Sequence, residues 1–277
     1  MDPMLIAAYL VAFLFEVGMP IALAVFVRRR LGVSWRYFWY GALIFFLSQI
    51  VTRIPLVRVL QFVLADQFRQ SQALQWAWLV ALALTAGLFE EIGRYLGYRY
   101  LVFRRSRSEV SRQLSAVGDQ DPALDAWKKG VMYGLGHGGL ESMLLVGGLV
   151  LLGLINGLVL SRMDPATIAA LPSDQAEQVR QAQELFRTLP WWTPLLGAVE
   201  RLFTIAVQVG FSILVLQAFL RDNVKWLYLA IGAHFLVDLV AVASNRFIGP
   251  VWTEAVIGVF ALGALYLTFR LKPRPIA

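Results

Sequence analysis

Residues 76–100 read WAWLVALALTAGLFEEIGRYLGYRY. The first fourteen positions carry no charge, and the run as a whole is long enough to cross a bilayer core, which takes roughly 20 apolar residues in a helix. Glu90, Glu91 and Arg94 then fall inside it. A charge at membrane depth is costly, so it calls for a partner and for a use. Glu90 and Arg94 are i,i+4 neighbours and share a helix face. Glu91 is rotated by about 100° from Glu90 and needs another partner.

Six further apolar runs lie near 4–27, 37–62, 130–160, 193–220, 226–243 and 248–269. With 58% hydrophobic and only 16% charged residues in 277, a soluble two-domain protein and a disordered chain are both excluded. The expected fold is an all-α, polytopic membrane helical bundle of about seven transmembrane helices. It forms a single integral-membrane domain over 1–277, with a catalytic core at about 80–245. The first run is too long for a cleaved signal peptide. There is no cysteine, so disulfides, thiol nucleophiles and thiolate metal sites are excluded.

The net charge of +7 is a topology signal rather than a nucleic-acid footprint, because the cations sit between apolar runs. Arg28–Arg30 and Arg36 follow the first run. Arg99, Arg104, Arg105, Arg107, Arg112, Lys128 and Lys129 lie between the third and fourth. Arg221 and Lys225 separate the fifth and sixth, and Arg270, Lys272 and Arg274 close the chain. The intervening connections are poor in cations or balanced by acids. Positive-inside then predicts N-terminus out and C-terminus in. Trp191, Trp192, Trp226 and Trp252 fall at run ends, as interfacial anchors do. Residues 104–127 read as a basic, polar cytoplasmic loop, and 163–190 as one short amphipathic helix between Pro165 and Pro190.

Both histidines of the chain lie inside apolar runs, and both have a carboxylate at i+4: His137 with Glu141, His234 with Asp238. That spacing puts ring and acid on one face, where the acid can orient the imidazole. At 1.5 Å per residue, Glu90 lies about 9 Å, His137 about 10 Å and His234 about 12 Å from the inner edges of their runs. Three helices therefore offer polar groups at one level of the membrane. The fifth run adds Glu200-Arg201, with Thr204 and Gln208 continuing a polar stripe. Glu16, Arg53 and Glu254 are single charges with no role assigned. Gly134, Gly136, Gly138 and Gly139 flank His137; with no strand before and no lysine after, they are no phosphate loop and instead permit close helix approach or local unwinding.

There is no HExxH, no GxSxG and no serine–histidine pairing, so zincin, hydrolase-elbow and rhomboid-like mechanisms lack support. Carboxylates plus two imidazoles can activate water and hold an oxyanion, which amide hydrolysis needs.

At these residues the sequence resembles the glutamic-type intramembrane endopeptidases, the superfamily of the type II CAAX prenyl endopeptidases and PrsW. Their pattern is matched by Glu90-Glu91-xx-Arg94, Tyr133-xxx-His137 and His234-xxx-Asp238. The layout is most similar to the YhfC branch, where His137-xxx-Glu141 and Glu200-Arg201 also have counterparts. The resemblance spans roughly residues 80–245. Two residues stand between the glutamate pair and Arg94 where the prenyl endopeptidases have three, and Asp238 stands for their commoner Asn. The resemblance implies an intramembrane peptidase in which Glu90 or Glu91 deprotonates water and Arg94 holds the pair ionised. His137 and His234 then bind the water or the oxyanion, oriented by Glu141 and Asp238. Tyr133, Glu200 and Arg201 are secondary candidates.

The implied setting is a bacterial cytoplasmic membrane, with lipid and a membrane-associated or transmembrane peptide as partners and no nucleic acid. A divalent metal such as zinc, on His137 and His234, stays open beside metal-free glutamate–water chemistry. Two other classes also stay open. A proton-coupled transporter would use the same buried groups, but no inverted repeat accompanies them. A non-catalytic scaffold binding transmembrane helices would not need them.

Overall fold

A computed structural model describes residues 1–103 and 121–273. Among these residues the chain is all helix and turn, with no strand. In chain order the helices are α1 (Pro3–Leu31), α2 (Arg36–Val63), α3 (Ala65–Gln70), α4 (Gln72–Val102), α5 (Pro122–Leu160), α6 (Pro165–Ala169), α7 (Ser173–Thr188), α8 (Thr193–Leu220), α9 (Lys225–Phe247) and α10 (Pro250–Arg270). Seven of them, α1, α2, α4, α5, α8, α9 and α10, are long and apolar enough to cross a membrane. Large apolar side chains such as Leu14, Phe62 and Val259 face outward, as a lipid-immersed surface requires.

Local chemistry sets the helix ends. Asp2, Ser71, Asp121 and Asp164 each accept a hydrogen bond from a backbone N–H of the following first turn. Pro3, Pro122 and Pro165 occupy the first helical position, where no N–H is missed. Gly32 ends α1 in the left-handed region at φ 70°, and Gly249 takes φ 83° in the two-residue link from α9 to α10. Several sequence boundaries shift. Helix α4 starts at Gln72, not 76, and α5 at Pro122, not 130. Residues 163–190 form two helices rather than one, because the Leu171-Pro172 junction interrupts the helical ladder. Residues 104–120 of the basic loop and Arg274 lie outside the described residues.

Helix α8 is the axis of the bundle. Some 72% of its most apolar window is buried, against 28% or less in the other six. It packs on α1, α5, α9 and α10, while α2 lies on α5 and α4 on α9. Three stretches widen into π-helical turns, at Phe46–Arg53, Tyr98–Val102 and Glu141–Val146. The first and third interrupt α2 and α5 at the depth of the charged residues, a place where such turns recur at functional sites.

The α2–α5 crossing is backbone on backbone. A Cβ on Gly41 would stand 1.9 Å from the Tyr133 carbonyl oxygen, and one on Gly136 would stand 1.8 Å from that of Phe38. Neither contact can relax by a rotamer change. Gly41→Ala or Gly136→Ala is therefore expected to destabilise the bundle by about 1–3 kcal/mol. Gly263→Ala, with nothing within 4 Å, serves as the neutral control. Unfolding midpoints in detergent check this; a Gly136→Ala protein as stable as Gly263→Ala would mean that the crossing is slack.

Candidate active site

Five helices meet around Glu90. Helix α4 contributes Glu90, Glu91 and Arg94; α5 contributes His137 and Glu141; α8 contributes Arg201 and Gln208; α9 contributes His234 and Asp238; α2 contributes Gln49 and Arg53. Glu91, Arg94 and His137 are fully buried, and Glu90 and His234 very nearly so.

The i,i+3 and i,i+4 spacings bring both glutamates to Arg94. Its guanidinium donates to Glu91, to Oε2 of Glu90 at 3.3 Å, and to Oε1 of Gln208. The two Nη atoms of the planar fork reach three acceptors, while Nε is buried without a hydrogen-bond partner among the described residues. The Glu90 carboxylate is held from both sides. Its Oε1 accepts from Nε2 of Gln49 at 2.6 Å, and its Oε2 accepts from His137 Nε2 at 3.0 Å and Gln208 Nε2 at 3.3 Å. Glu91 accepts from His234 Nδ1 at 2.6 Å. That bond fixes the ring so that Nε2 points the other way, 3.9 Å from Glu90 Oε2 and 3.7 Å from Asp238 Oδ2. The ring of His234 stacks on Phe211, and His137 meets the edge of Phe45.

The two members of the glutamate pair differ in what they face. A cavity of about 250 Å³ is bordered by Glu90, His234, Asp238, Glu141, Arg201 and Gln208. Glu91, His137 and Arg94 stand behind that wall, without exposure.

One expected pairing takes other partners. Glu141 does not hold His137: its carboxylate accepts from Arg201 Nη1 and Gln208 Nε2, each at 2.8 Å. The helix turns π-helical at Glu141, so i+4 spacing no longer fixes the shared face, and two donors on α8 compete for the acid. Among the described residues, Nδ1 of His137 is left buried without a hydrogen-bond partner. Asp238 keeps the expected pairing with His234 as an ion pair, Nε2 of the ring standing 3.7 Å from Oδ2, beyond hydrogen-bond length, while Nδ1 is engaged by Glu91. Tyr133 stacks on Tyr98 beneath the site, and its hydroxyl reaches the Arg94 carbonyl at 3.5 Å. Arg201 binds Glu200 as well as Glu141.

Gln208 belongs to the polar stripe that the sequence shows on the fifth run, whereas Gln49 and Arg53 have no role assigned from sequence. Gln208 bridges Glu90, Glu141 and Arg94, and its entry depends on Gly138, where a Cβ would stand 2.8 Å from Gln208 Cβ. Arg53 Nη1 donates to Oε1 of Gln49 at 3.1 Å. For Gln49 and Arg53 the signal is their i,i+4 spacing within an apolar run.

Glu90, Glu91 and His234 present donor atoms within 4.8 Å of one another, a group that could hold a metal ion. Carboxylate oxygen and imidazole nitrogen are zinc donors. Among the described residues, Oε2 of Glu91 is buried without a hydrogen-bond partner, an acceptor that a cation would satisfy. The residues present therefore fit a divalent cation.

The chain matches the family of YhfC intramembrane metalloproteases over residues 15–261. It is 30% identical over 261 residues to the uncharacterized membrane protein YhfC of Bacillus subtilis (strain 168), covering 92% of this chain and 91% of that protein. No solved structure matches it. With seven helices among its described residues long and apolar enough to cross a membrane, and matched along nearly its whole length, the chain belongs to the YhfC intramembrane metalloprotease family.

Proposed function

We propose that this integral membrane protein is a peptidase that hydrolyses a peptide bond inside the bilayer, with Glu90 as the proton acceptor for water. The observation that carries the reading is the placement of Glu90. It is the member of the glutamate pair that borders the cavity, and His137 Nε2 and His234 Nε2 both converge on its Oε2, at 3.0 and 3.9 Å.

Glu90 takes a proton from water in the cavity, and the resulting hydroxide attacks the scissile carbonyl carbon. His234, as the imidazolium, donates from Nε2 to the developing oxyanion, while Glu91 holds Nδ1 and so keeps the ring aimed. Glu90 then passes its proton to the leaving nitrogen, which balances the step. His137, Gln49 and Gln208 fix the carboxylate during both transfers. Arg94 positions the two glutamates together. A divalent cation such as zinc would be held by Glu90, Glu91 and the neutral imidazole of His234, replacing the imidazolium role, and would supply Lewis acidity toward water and the carbonyl. The substrate is a membrane-associated or transmembrane peptide segment, and the setting is the bacterial cytoplasmic membrane with the N-terminus outside.

Purified protein in proteoliposomes is expected to cleave membrane-derived peptides, with fragments mapped by mass spectrometry. Proton flux without cleavage would overturn the reading in favour of a transporter. Elemental analysis before and after chelation decides the source of activation. Zinc lost together with activity assigns a Lewis acid; full activity without metal assigns the activation to Glu90 alone.

A further inference from the structure

Helix α2 changes character at its π-helical stretch, Phe46–Arg53. Before the stretch it buries Tyr37, Phe38 and Phe45 against the bundle; beyond it, Ile54–Val63 has no buried residue among the described ones. Arg53 is the last residue of the stretch. A charge inside an apolar run calls for partners and for a use. Its three guanidinium nitrogens are all engaged by neutral acceptors. Nη2 donates to the Leu82 carbonyl oxygen at 2.6 Å and Nε to Thr85 Oγ1 at 3.3 Å, both on α4, while Nη1 donates to Gln49 Oε1 at 3.1 Å. The fork is thus anchored on α4, with one arm turned to the amide that touches Glu90.

That amide has two ends of nearly equal shape and opposite hydrogen-bonding sense. An ionised Glu90 accepts and does not donate, so only Nε2 of Gln49 can serve it. An arginine donates and does not accept, so Arg53 can hold only Oε1. With Oε1 held by Arg53, Nε2 faces Glu90 Oε1 at 2.6 Å. The chain of bonds leaves α4 at Leu82 and Thr85, crosses Arg53 and Gln49 of α2, and returns to α4 at Glu90. Arg53 borders the cavity together with Glu90 and Asp238. Its engaged nitrogens favour an internal task over capture of substrate.

We propose that Arg53 is a positioning residue: it sets the orientation of the Gln49 amide and, through it, holds the Glu90 carboxylate in place. The expected effect on rate rests on the peptidase reading; the expected effect on coupling rests on the hydrogen bonds alone.

The first arm of the test needs no turnover. The coupling between Gln49 and Glu90 is read from unfolding equilibria in detergent of the wild type, Gln49→Met, Glu90→Met and the double variant. It is read again with Arg53→Met added throughout. Glu90→Gln serves where Glu90→Met does not fold. With Arg53 in place, the coupling should change the folding equilibrium constant by roughly 3-fold or more, as within one polar network. With Arg53→Met it should fall below about 2-fold. A coupling that persists in Arg53→Met overturns the proposal. So does failure of both Arg53→Met and Arg53→Gln to fold, which would make the arginine a structural tie between α2 and α4.

The second arm is kinetic, on one membrane-derived peptide. Arg53→Met and Gln49→Met should each lower kcat by roughly 10–100-fold, as loss of a group that orients a reacting side chain does, with KM within about 2-fold of wild type. Arg53→Met/Gln49→Met should be no slower than Gln49→Met, because the arginine acts through the amide. Arg58→Met, at an exposed position on the same helix, should keep the wild-type rate. Losses that multiply in the double variant, or a raised KM at unchanged kcat, overturn the proposal, the latter by making Arg53 a substrate contact. A wild type that cleaves no peptide sinks the peptidase reading, and the coupling arm still decides the role of Arg53.

Discussion

Glu90→Gln is expected to lower the cleavage rate by roughly 10²–10⁴-fold, the loss that accompanies removal of a positioned general base. Glu91→Gln, one residue away, is expected to cost only roughly 10–100-fold, as removal of a group that orients a catalytic imidazole does. Adjacent residues on a helix point about 100° apart, so the pair cannot serve one water equally. Glu90 borders the cavity and is approached by both histidines; Glu91 is sealed behind it and touches only Nδ1 of His234 and Arg94. Glutamine at 90 keeps the shape and a carbonyl acceptor for Gln49, but it cannot take a proton. Initial rates on one membrane-derived peptide, with unfolding midpoints to establish that both variants are folded, check the prediction. A Glu91→Gln protein slower than Glu90→Gln would exchange the two roles, and wild-type rates in both would remove the glutamates from the chemistry.

What the sequence revealed, and what it hid, follow from the range of the interactions. Seven apolar runs were legible because membrane crossing is decided by composition over some twenty residues, which one helix contains by itself. The Glu90–Arg94 contact was legible for the same reason, being local to one helix. Partner choice across helices was not. His137 and Glu141 have the spacing of a pair, but spacing states only that two groups could meet. A glutamate from α4 and an arginine and a glutamine from α8 compete for them, and each rival is nearer. Gln49 shows the limit most plainly. A neutral side chain in an apolar run carries no charge to flag it, and its value lies in the 2.6 Å bond to Glu90 that exists only once α2 and α4 are packed. The break at Pro172 was readable, but the amphipathic pattern on either side of it outweighed the one residue that ends the helix.

Arg94→Met should be the most damaging single change to the fold at this site, at about 3–5 kcal/mol, the cost of leaving buried charge without its counter-ion. Methionine keeps much of the side chain's volume, so the loss is electrostatic rather than a cavity. Arg94 is fully buried and joins Glu90, Glu91 and Gln208. Without it two buried carboxylates lose their shared guanidinium, and the remaining donors are the amides of Gln49 and Gln208 and the two histidines. The same logic yields a rescue. Glu91→Gln removes one of the two carboxylate charges that Arg94 balanced while keeping the geometry, so the Arg94→Met/Glu91→Gln protein should be more stable than Arg94→Met alone. The coupling between the two sites should fall in the range of about 0.5–3 kcal/mol found for residues in one polar network. A glutamine at 91 also retains an acceptor for His234 Nδ1, so the ring should stay in place in the double variant. Unfolding midpoints of the wild type, the two single variants and the double variant in the same detergent close the cycle. Simple additivity would show that Arg94 and Glu91 act independently, and would remove the arginine as the clamp that holds the glutamate pair at the cavity.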